Sequence, residues 1–289
     1  MLFEIVRPSY AKINLCLQVC GRRLDGYHDL ETVFQEIDLA DEMRFQFYDD
    51  PKAEIALSCP AVNCILEENL VYQAAALFCA TFQISCSMHI SVEKNIPQGA
   101  GLGGGSSNAA TTLIVLAERF GVAKSELLSL AKELGADVAF FLMGGTAIGR
   151  GRGDELEPID LGLKNSFVVV CPRVYVSTAY VFAKLSQFLT HKPKRDIKII
   201  DFCKENMTFT EDFFVNDLEE VSFCLYPQLE EVKKQLCEMT SSPVLMSGSG
   251  SSFFVVCQTT DEGRGILDLV RCQGYDGFLS NSVLPEELS

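Results

Sequence analysis

From Ser87 to Glu93 apolar and polar residues alternate. Met88, Ile90 and Val92 share one side, and His89, Ser91 and Glu93 the other. A period of two predicts a half-buried strand. Further along the period changes: Ala109, Leu113, Leu116, Ala117 and Phe120 recur at helical spacing, and Gly121 supplies a C-terminal stop. Between the two lies Pro97–Asn108, P-Q-G-A-G-L-G-G-G-S-S-N. The order is strand, glycine loop, helix. Glycines allow positive φ and close approach of backbone to a ligand. The unpaired N–H groups of a helix start, with the positive end of the dipole behind them, suit a phosphate. The competing reading is a glycine turn that only lets helix and strand pack closely.

Other segments repeat the same logic. Lys12–Val19 alternates, with Ile13, Leu15, Leu17 and Val19 assigned to the core and Lys12, Asn14 and Gln18 to the other face. From the pattern alone that second face is an ordinary solvent face. Asp25-Gly26 signals a turn just before Tyr27 and His28. Strand patterns follow at Met43–Phe47 and Ala53–Leu57. Asn69 stands as an N-cap before a helical stripe of Leu70, Ala74, Leu77 and Phe78. Glu126–Leu134 reads as a short helix ended by Gly135, and Asp137 stands at the front of an apolar run, where a cap is the simplest role. Gly144–Gly153 reads as a glycine-rich turn and hairpin whose Arg150 and Arg152 face anionic substrate or solvent. Composition shifts near Asp154–Pro158, so domains are expected at 1–155 and 156–289. Beyond it, Phe167–Cys171 is a buried strand and Ser177–Phe188 a helix, while His191–Asn206 is basic and then mixed. Asn216–Glu219 has the spacing of a capping box, and Pro227 opens a helix at a position that suits proline. Strands at Val244–Met246 and Phe253–Cys257 flank a turn, Ser247-Gly248-Ser249-Gly250.

Composition narrows the class. The 289 residues allow one large or two ordinary domains, and 48% hydrophobic content suits a globular protein. A net charge of −15 argues against nucleic-acid or anionic-membrane partners. It leaves a nucleotide ligand possible, because a few local cations and loop amides can hold phosphates. The twelve cysteines include no C-x-x-C, and most sit among apolar residues, so buried free thiols in a reducing compartment are expected. No stretch reads as a signal or transit peptide or as a bilayer span, and a cytoplasmic location is expected.

The glycine loop lacks the Lys before Ser/Thr of a Walker loop. Gly99, Gly101 and Gly104 satisfy G-x-G-x-x-G, but the acidic residue a dinucleotide fold wants about 20 positions on would be Glu126, inside a helical pattern. The loop resembles instead the P-x-x-x-G-L-G-G-G-S-S-N/D-A-A motif of the GHMP small-molecule kinases. G-R-R-L-D-G-Y-H at Gly21–His28 and A-K-I-N-L at Ala11–Leu15 resemble the branch whose acceptor carries a cytidine diphosphate group. G-A-D-V-A-F-F at Gly135–Phe141 resembles the segment that supplies the catalytic aspartate, with Ala139 where proline is usual. Pro172–Phe182 resembles a wall of the cytidine site, and Ser247–Gly250 the third glycine motif, with Ser249 where the branch often has threonine. The resemblance covers Ala11 to about Phe253, with a poor fit over His191–Asn206.

What the resemblance implies is specific. The fold would be α+β in two domains, the first like ribosomal protein S5 domain 2 and the second ferredoxin-like. The activity would be ATP-dependent phosphorylation of the 2-hydroxyl of 4-diphosphocytidyl-2-C-methyl-D-erythritol, a step of non-mevalonate isoprenoid synthesis. Asn69, Lys94, Pro97 and the run Gly99, Ala100, Gly101, Leu102, Gly103, Gly104, Gly105, Ser106 and Ser107 would bind ATP. Asn69 is equally a cap, and Lys94 nearly equally a solvated lysine. Asp137 would orient the acceptor hydroxyl, with Lys12 beside it. Asn14, Tyr27, His28, Phe182, Gly248 and Ser249 would bind the acceptor, with Tyr27 and Phe182 as stacking plates and His28 reading the cytosine edge. Family members often add a metal-binding glutamate. Glu118 and Glu133 lie on helices at unsuitable spacing, so Mg²⁺ is expected to ride on ATP, helped by Ser106 or Ser107. A monomer or weak homodimer is expected. The rivals are another kinase of the family, a non-catalytic nucleotide sensor and a dinucleotide-dependent dehydrogenase.

Overall fold

The structure is a computed structural model that describes residues 3–48, 53–62, 64–160, 165–185 and 213–283. The segment 191–206 and the end of the helix expected to reach residue 188 lie outside the described residues. The chain forms two compact units, each assembled from separated stretches: 1–11, 40–96 and 103–143 in the first, and 12–39, 97–102 and 144–289 in the second. Two long strands, β1 (Phe3–Arg22) and β2 (His28–Tyr48), contribute residues to both.

In the first unit the later half of β2 pairs antiparallel with β4 (Ser87–Glu93), and β4 pairs parallel with β3 (Ile55–Ser58). The alternation in Ser87–Glu93 is realised, with Met88, Ile90 and Val92 buried. Four helices pack on one another: α1 (Leu70–Phe82), α2 (Gly104–Phe120), α3 (Leu127–Leu134) and α4 (Ala136–Met143). Their ends follow the sequence signals. The Asn69 side chain accepts the Val71 N–H at 3.0 Å, and Gly121 closes α2 at φ 71°. The ring of Phe78 meets those of Phe82 and Phe120, tying α1 to α2.

In the second unit β5 (Thr146–Gly151) pairs antiparallel with the early half of β2 and with β6 (Glu155–Pro158). The compositional shift at 154–158 thus coincides with a paired strand. A separate antiparallel sheet holds β7 (Ser166–Cys171), β8 (Val244–Met246), β9 (Phe253–Cys257) and β10 (Asp276–Asn281) in the order β10-β7-β9-β8. Counted along the chain that order is fourth, first, third, second, the ferredoxin-like arrangement. Among the described residues, the helices between these strands are α5 (Thr178–Leu185), α6 (Leu218–Leu225), α7 (Pro227–Met239) and α8 (Thr260–Cys272). The amphipathic faces of all four join the strands in one core, which includes Val168, Val181, Leu218, Leu236, Phe253 and Ile266.

Three expectations need correction. The Lys12, Asn14 and Gln18 face of β1 is buried, because this strand is covered on both sides. The capping box at Asn216–Glu219 does not close: Glu219 accepts the Met246 N–H and pairs with Lys233 rather than returning to Asn216. Among the described cysteines only Cys16, Cys171 and Cys257 are buried, while Cys20, Cys64, Cys224, Cys237 and Cys272 are exposed; all are free thiols. No helix among the described residues is long and apolar enough to cross a membrane.

Candidate active site

In the second unit, a strand that alternates its side chains places Lys12, Asn14, Cys16 and Gln18 on one face of β1. Lys12 is 5% exposed and Asn14 2%. A buried ammonium is costly unless it is hydrogen-bonded. Lys12 Nζ donates to Asn14 Oδ1 at 2.7 Å, Asn14 Nδ2 donates to Thr32 Oγ1 at 2.8 Å, and Thr32 Oγ1 donates to the Cys16 carbonyl at 2.6 Å. The Phe34 ring lies 5.3 Å from the Lys12 ammonium. Gln18 Nε2, on the same face, is buried with no partner among the described residues, a donor left for a ligand or water.

The first half of the glycine segment closes on this strand. The Lys12 N–H donates to the Leu102 carbonyl at 3.0 Å. Gly101 has φ 76°, and a Cβ there would stand 2.1 Å from the Ser247 carbonyl oxygen. Ser247 Oγ donates to the Gly101 carbonyl at 2.9 Å, and the Ser252 N–H donates to that of Ala100 at 3.1 Å. The Ser247–Gly250 turn and the segment Pro97–Leu102 therefore lie backbone against backbone. Gly248 brings the turn to the polar face: a Cβ on it would be 3.4 Å from Asn14 Oδ1 and 3.7 Å from Lys12 Nζ. Ser249 Oγ is hydrogen-bonded to Thr178 Oγ1 at 2.8 Å, which ties the turn to the first residue of α5.

The same unit holds the aromatic residues expected at a base. The turn before β2 is built by Asp25, whose Oδ1 accepts the Tyr27 N–H at 3.1 Å, and by Gly26 at φ 88°. Tyr27 is 56% exposed, and the Arg152 guanidinium sits 5.1 Å from its ring centroid. Arg152 also pairs with Asp154, whereas Arg150 is engaged across the hairpin with Glu157. The buried His28 ring lies 5.8 Å from that of Phe182, tilted by 34°. So His28 and Phe182 are neighbours, and Tyr27 stands outside them with an arginine on its face. Burial first, and then the charge of Arg22, pushes the His28 pKa below its ordinary value. A neutral imidazole offers one N–H donor and one acceptor nitrogen.

In the first unit the second half of the glycine segment becomes the start of α2. Gly103 is the N-cap at φ 70°, no side chain caps the helix, and its first turn carries no acidic residue. The N–H groups of Gly104, Gly105 and Ser106 have no partner among the described residues. These are the open donors that an anion can fill. Lys94 stands next to them: a Cβ on Gly104 would lie 3.2 Å from Lys94 Nζ. Lys94 is buried rather than solvated, and pairs with Asp41. Asp41 Oδ1 accepts the N–H groups of Asn95 at 2.7 Å and Ile96 at 2.8 Å, and its Oδ2 accepts Asn108 Nδ2 at 3.0 Å. Lys94 Nζ donates to Asn108 Oδ1 at 3.0 Å, and the Ser9 and Ser107 hydroxyls continue the network at 2.7 Å from each other. Ser107 is thereby engaged, and Ser106 is the half-buried hydroxyl at the helix start.

Asp41 and Asn108 are the residues that sequence reasoning missed. Asp41 stands two residues before the Met43–Phe47 strand pattern, and nothing in its local sequence marks it. Asn69 caps α1 beside Leu70, whose Cδ1 approaches the start of α2 to 3.8 Å from a Cβ on Gly105. Asp137 is half-buried in the first turn of α4, where its charge suits the helix dipole. It belongs to the first unit, Lys12 to the second. Glu118 forms a surface pair with Arg7.

Comparison with known proteins bears on this geometry. The model of the GHMP kinases N-terminal domain matches residues 69–145, and that of the GHMP kinases C-terminal domain residues 201–276. A 4-diphosphocytidyl-2-C-methyl-D-erythritol kinase of Acinetobacter baumannii is 40% identical over 273 residues, covering 93% of this chain and 92% of its own. The enzyme of that name from Persephonella marina is 40% identical over 251 residues, covering 86% and 90%. The crystal structure of a 4-(cytidine 5'-diphospho)-2C-methyl-D-erythritol kinase superposes with a TM-score of 0.81 at 34% identity, covering 96% of this chain and 99% of that one.

Proposed function

We propose, from the premise that this chain belongs to the GHMP kinases and has their two-domain fold, that it phosphorylates the 2-hydroxyl of 4-diphosphocytidyl-2-C-methyl-D-erythritol with ATP. The enzyme is an ATP-dependent kinase of isoprenoid precursor synthesis. The observation that carries the reading is the buried Lys12–Asn14 pair, with the Gly248 turn against it and the His28–Phe182 ring pair in the same unit.

Phosphoryl transfer asks the protein for positioning and charge stabilisation more than for covalent chemistry. The open amides of Gly104, Gly105 and Ser106 would hold ATP phosphates, with the Lys94 ammonium at the same helix start. Pro97 and the residues 99–102 shape the approach, and Asn69 is read at the adenine end. The Lys12 ammonium would stabilise charge on the transferred group. Asp137 would accept a hydrogen bond from the acceptor hydroxyl and take its proton late in the transfer. The donor set fits a metal carried by the nucleotide, with the Ser106 hydroxyl as the protein's contribution. A bound Mg²⁺ would supply positive charge against the nucleotide's phosphates. At the other end Tyr27 and Phe182 would supply faces for cytosine, and neutral His28 with its local backbone would read the base edge. A cytoplasmic setting suits the free thiols.

Turnover against a panel of acceptors tests the substrate. With labelled ATP, the diphosphocytidyl alcohol is expected to be the preferred acceptor over mevalonate and homoserine by kcat/KM. Equal use of all three would remove the cytidine reading, and ATP binding without turnover would make the protein a sensor. His28 gives a second test through pH. Its depressed pKa means the folded state favours the neutral ring. The associated stability is present above the unfolded value of about 6.5 and is lost as pH falls through the lower folded value. The acceptor KM is expected to rise over that acid range while the ATP KM holds level, and His28→Gln should flatten the profile. An unchanged acceptor profile in that variant would take His28 out of the cytosine site.

A further inference from the structure

The Ser247–Gly250 turn is held by a residue that the proposed chemistry does not use. Asn216 is buried just ahead of α6, and its backbone neighbours are bonded to β1. The Leu17 N–H donates to the Val215 carbonyl at 2.8 Å, and the Asp217 N–H donates to the Leu17 carbonyl at 3.0 Å. The Asn216 carboxamide is fully used. Its Oδ1 accepts the Leu218 N–H at 2.9 Å, and its Nδ2 donates to the carbonyls of Met246 and Gly248, both at 2.7 Å. This orientation is fixed by chemistry, since one end faces a donor and the other faces two acceptors.

The two carbonyls differ in what stands across their peptide planes. A trans peptide sets its C=O and N–H in opposite directions. Behind the Met246 carbonyl is the Ser247 N–H, which donates to the Ser252 carbonyl at 2.9 Å. That plane is pinned on both sides. Behind the Gly248 carbonyl is the Ser249 N–H, which has no partner among the described residues although Ser249 is buried. The Gly248 N–H is likewise without a partner among them. Buried N–H groups nearly always find an acceptor. Here two adjacent ones are left over beside Lys12 and Asn14.

We propose that Asn216 is a positioning residue for the reaction. By gripping the Gly248 carbonyl it turns the Ser249 N–H away from itself, and by gripping the Met246 carbonyl as well it holds the turn. The Gly250 N–H holds the Ser247 carbonyl, whose plane carries the Gly248 N–H. The Ser249 and Gly248 N–H groups are thereby set as a pair of donors for an anionic oxygen of the bound nucleoside diphosphate. Asn216 touches neither substrate, and it acts on an element anchored to the strand that carries Lys12. The proposal rests on the acceptor reading above. It also explains why the residue is an asparagine: a carboxylate of the same shape would put a second acceptor against two carbonyl oxygens.

The test compares Asn216→Asp and Asn216→Ala with Glu219→Gln. Glu219 accepts the Met246 N–H on the same strand but leaves the turn carbonyls alone. Both Asn216 variants are expected to lose roughly 10–100-fold in kcat/KM for the diphosphocytidyl acceptor, the worth of one or two hydrogen bonds. The ATP KM should stay within about twofold of wild type, and Glu219→Gln should change melting temperature without that split. Titration with cytidine diphosphate, followed by amide ¹⁵N–¹H shifts, gives a readout independent of turnover. The Ser249 and Gly248 signals should move in the wild type and stay still in Asn216→Ala at matched occupancy. Asn216 variants that lose stability alone, with both kinetic constants and the Ser249 shift preserved, would overturn the proposal. A wild type that binds no cytidine diphosphate would remove the acceptor reading instead. The Asn216 role would then stand or fall on the same kinetic split, measured with whichever acceptor the panel identifies.

Discussion

Lys12→Met is expected to lower kcat by roughly 10²–10⁴-fold, the range for loss of one positioned charge or proton-transfer group. Methionine keeps the aliphatic stem that fills the strand face and removes only the ammonium. Asn14 Oδ1 then loses the donor now 2.7 Å away. A buried acceptor left unpaired costs about 1–3 kcal/mol, so a modest fall in melting temperature should accompany the loss of rate. Asp137→Asn is expected to lose a similar factor, because an amide cannot take the acceptor proton. If the two groups serve one transition state, the double variant will be scarcely slower than the worse single one, since residues that act as a unit are not additive. Single-turnover measurement at saturating ATP and acceptor would check this. A kcat within a few-fold of wild type in either single variant would end the mechanism. Multiplication of the two effects would show that the groups act separately.

Gly101→Ala is expected to abolish activity through the backbone. Two penalties coincide at this position. At φ 76° a side chain costs about 1–3 kcal/mol in strain. The added Cβ would also stand 2.1 Å from a carbonyl oxygen of Ser247, and a carbonyl cannot rotate away as a side chain can. The glycine segment must therefore separate from the 247–250 turn, breaking the Ser247 hydroxyl bond to Gly101 as it does so. Gly265 in α8 is the internal comparison: it lacks a positive φ and has nothing near its Cβ position. Gly265→Ala should raise stability by about 1 kcal/mol, because glycine inside a helix is entropically unfavourable. Melting temperature should fall in Gly101→Ala and rise in Gly265→Ala, and only Gly101→Ala should lose turnover. A Gly101→Ala enzyme with wild-type melting and rate would mean that the two glycine-bearing segments do not meet.

Much of the local structure was legible beforehand. The stop of α2 at Gly121, the Asn69 cap, the Pro227 start and the alternation in β4 each depend on residues within a turn or two. The glycine motif pointed to phosphate chemistry through its residue types, whereas the Tyr27-His28 segment read locally as a turn and pointed to a base only through the family resemblance. The polar face of β1 was not. Alternation says that Lys12 and Asn14 share a side, and it is silent on whether another layer covers that side. Asn216 shows the same limit. Its four-residue spacing fitted a cap, and its Oδ1 does accept the Leu218 N–H, but its Nδ2 also grips carbonyls 30 and 32 positions away, which no local pattern announces. Asp41 lies just outside the Met43–Phe47 strand pattern and carried no signal of its own, yet it gathers two backbone amides, a lysine and an asparagine into the support of the glycine loop.

The sequence by itself determined the periods, the caps, the places where the backbone must turn with positive φ, and the residue types available for holding phosphate and base. Those properties come from steric and hydrogen-bonding preferences that act over a few neighbouring residues. Only the tertiary structure decided that the Lys12 ammonium is buried, that Gly101 has no room for a side chain, and that two amides of the 247–250 turn find no partner among the described residues. Each of these depends on which distant group the fold brings within hydrogen-bond or van der Waals range, and local preference carries no information about that partner.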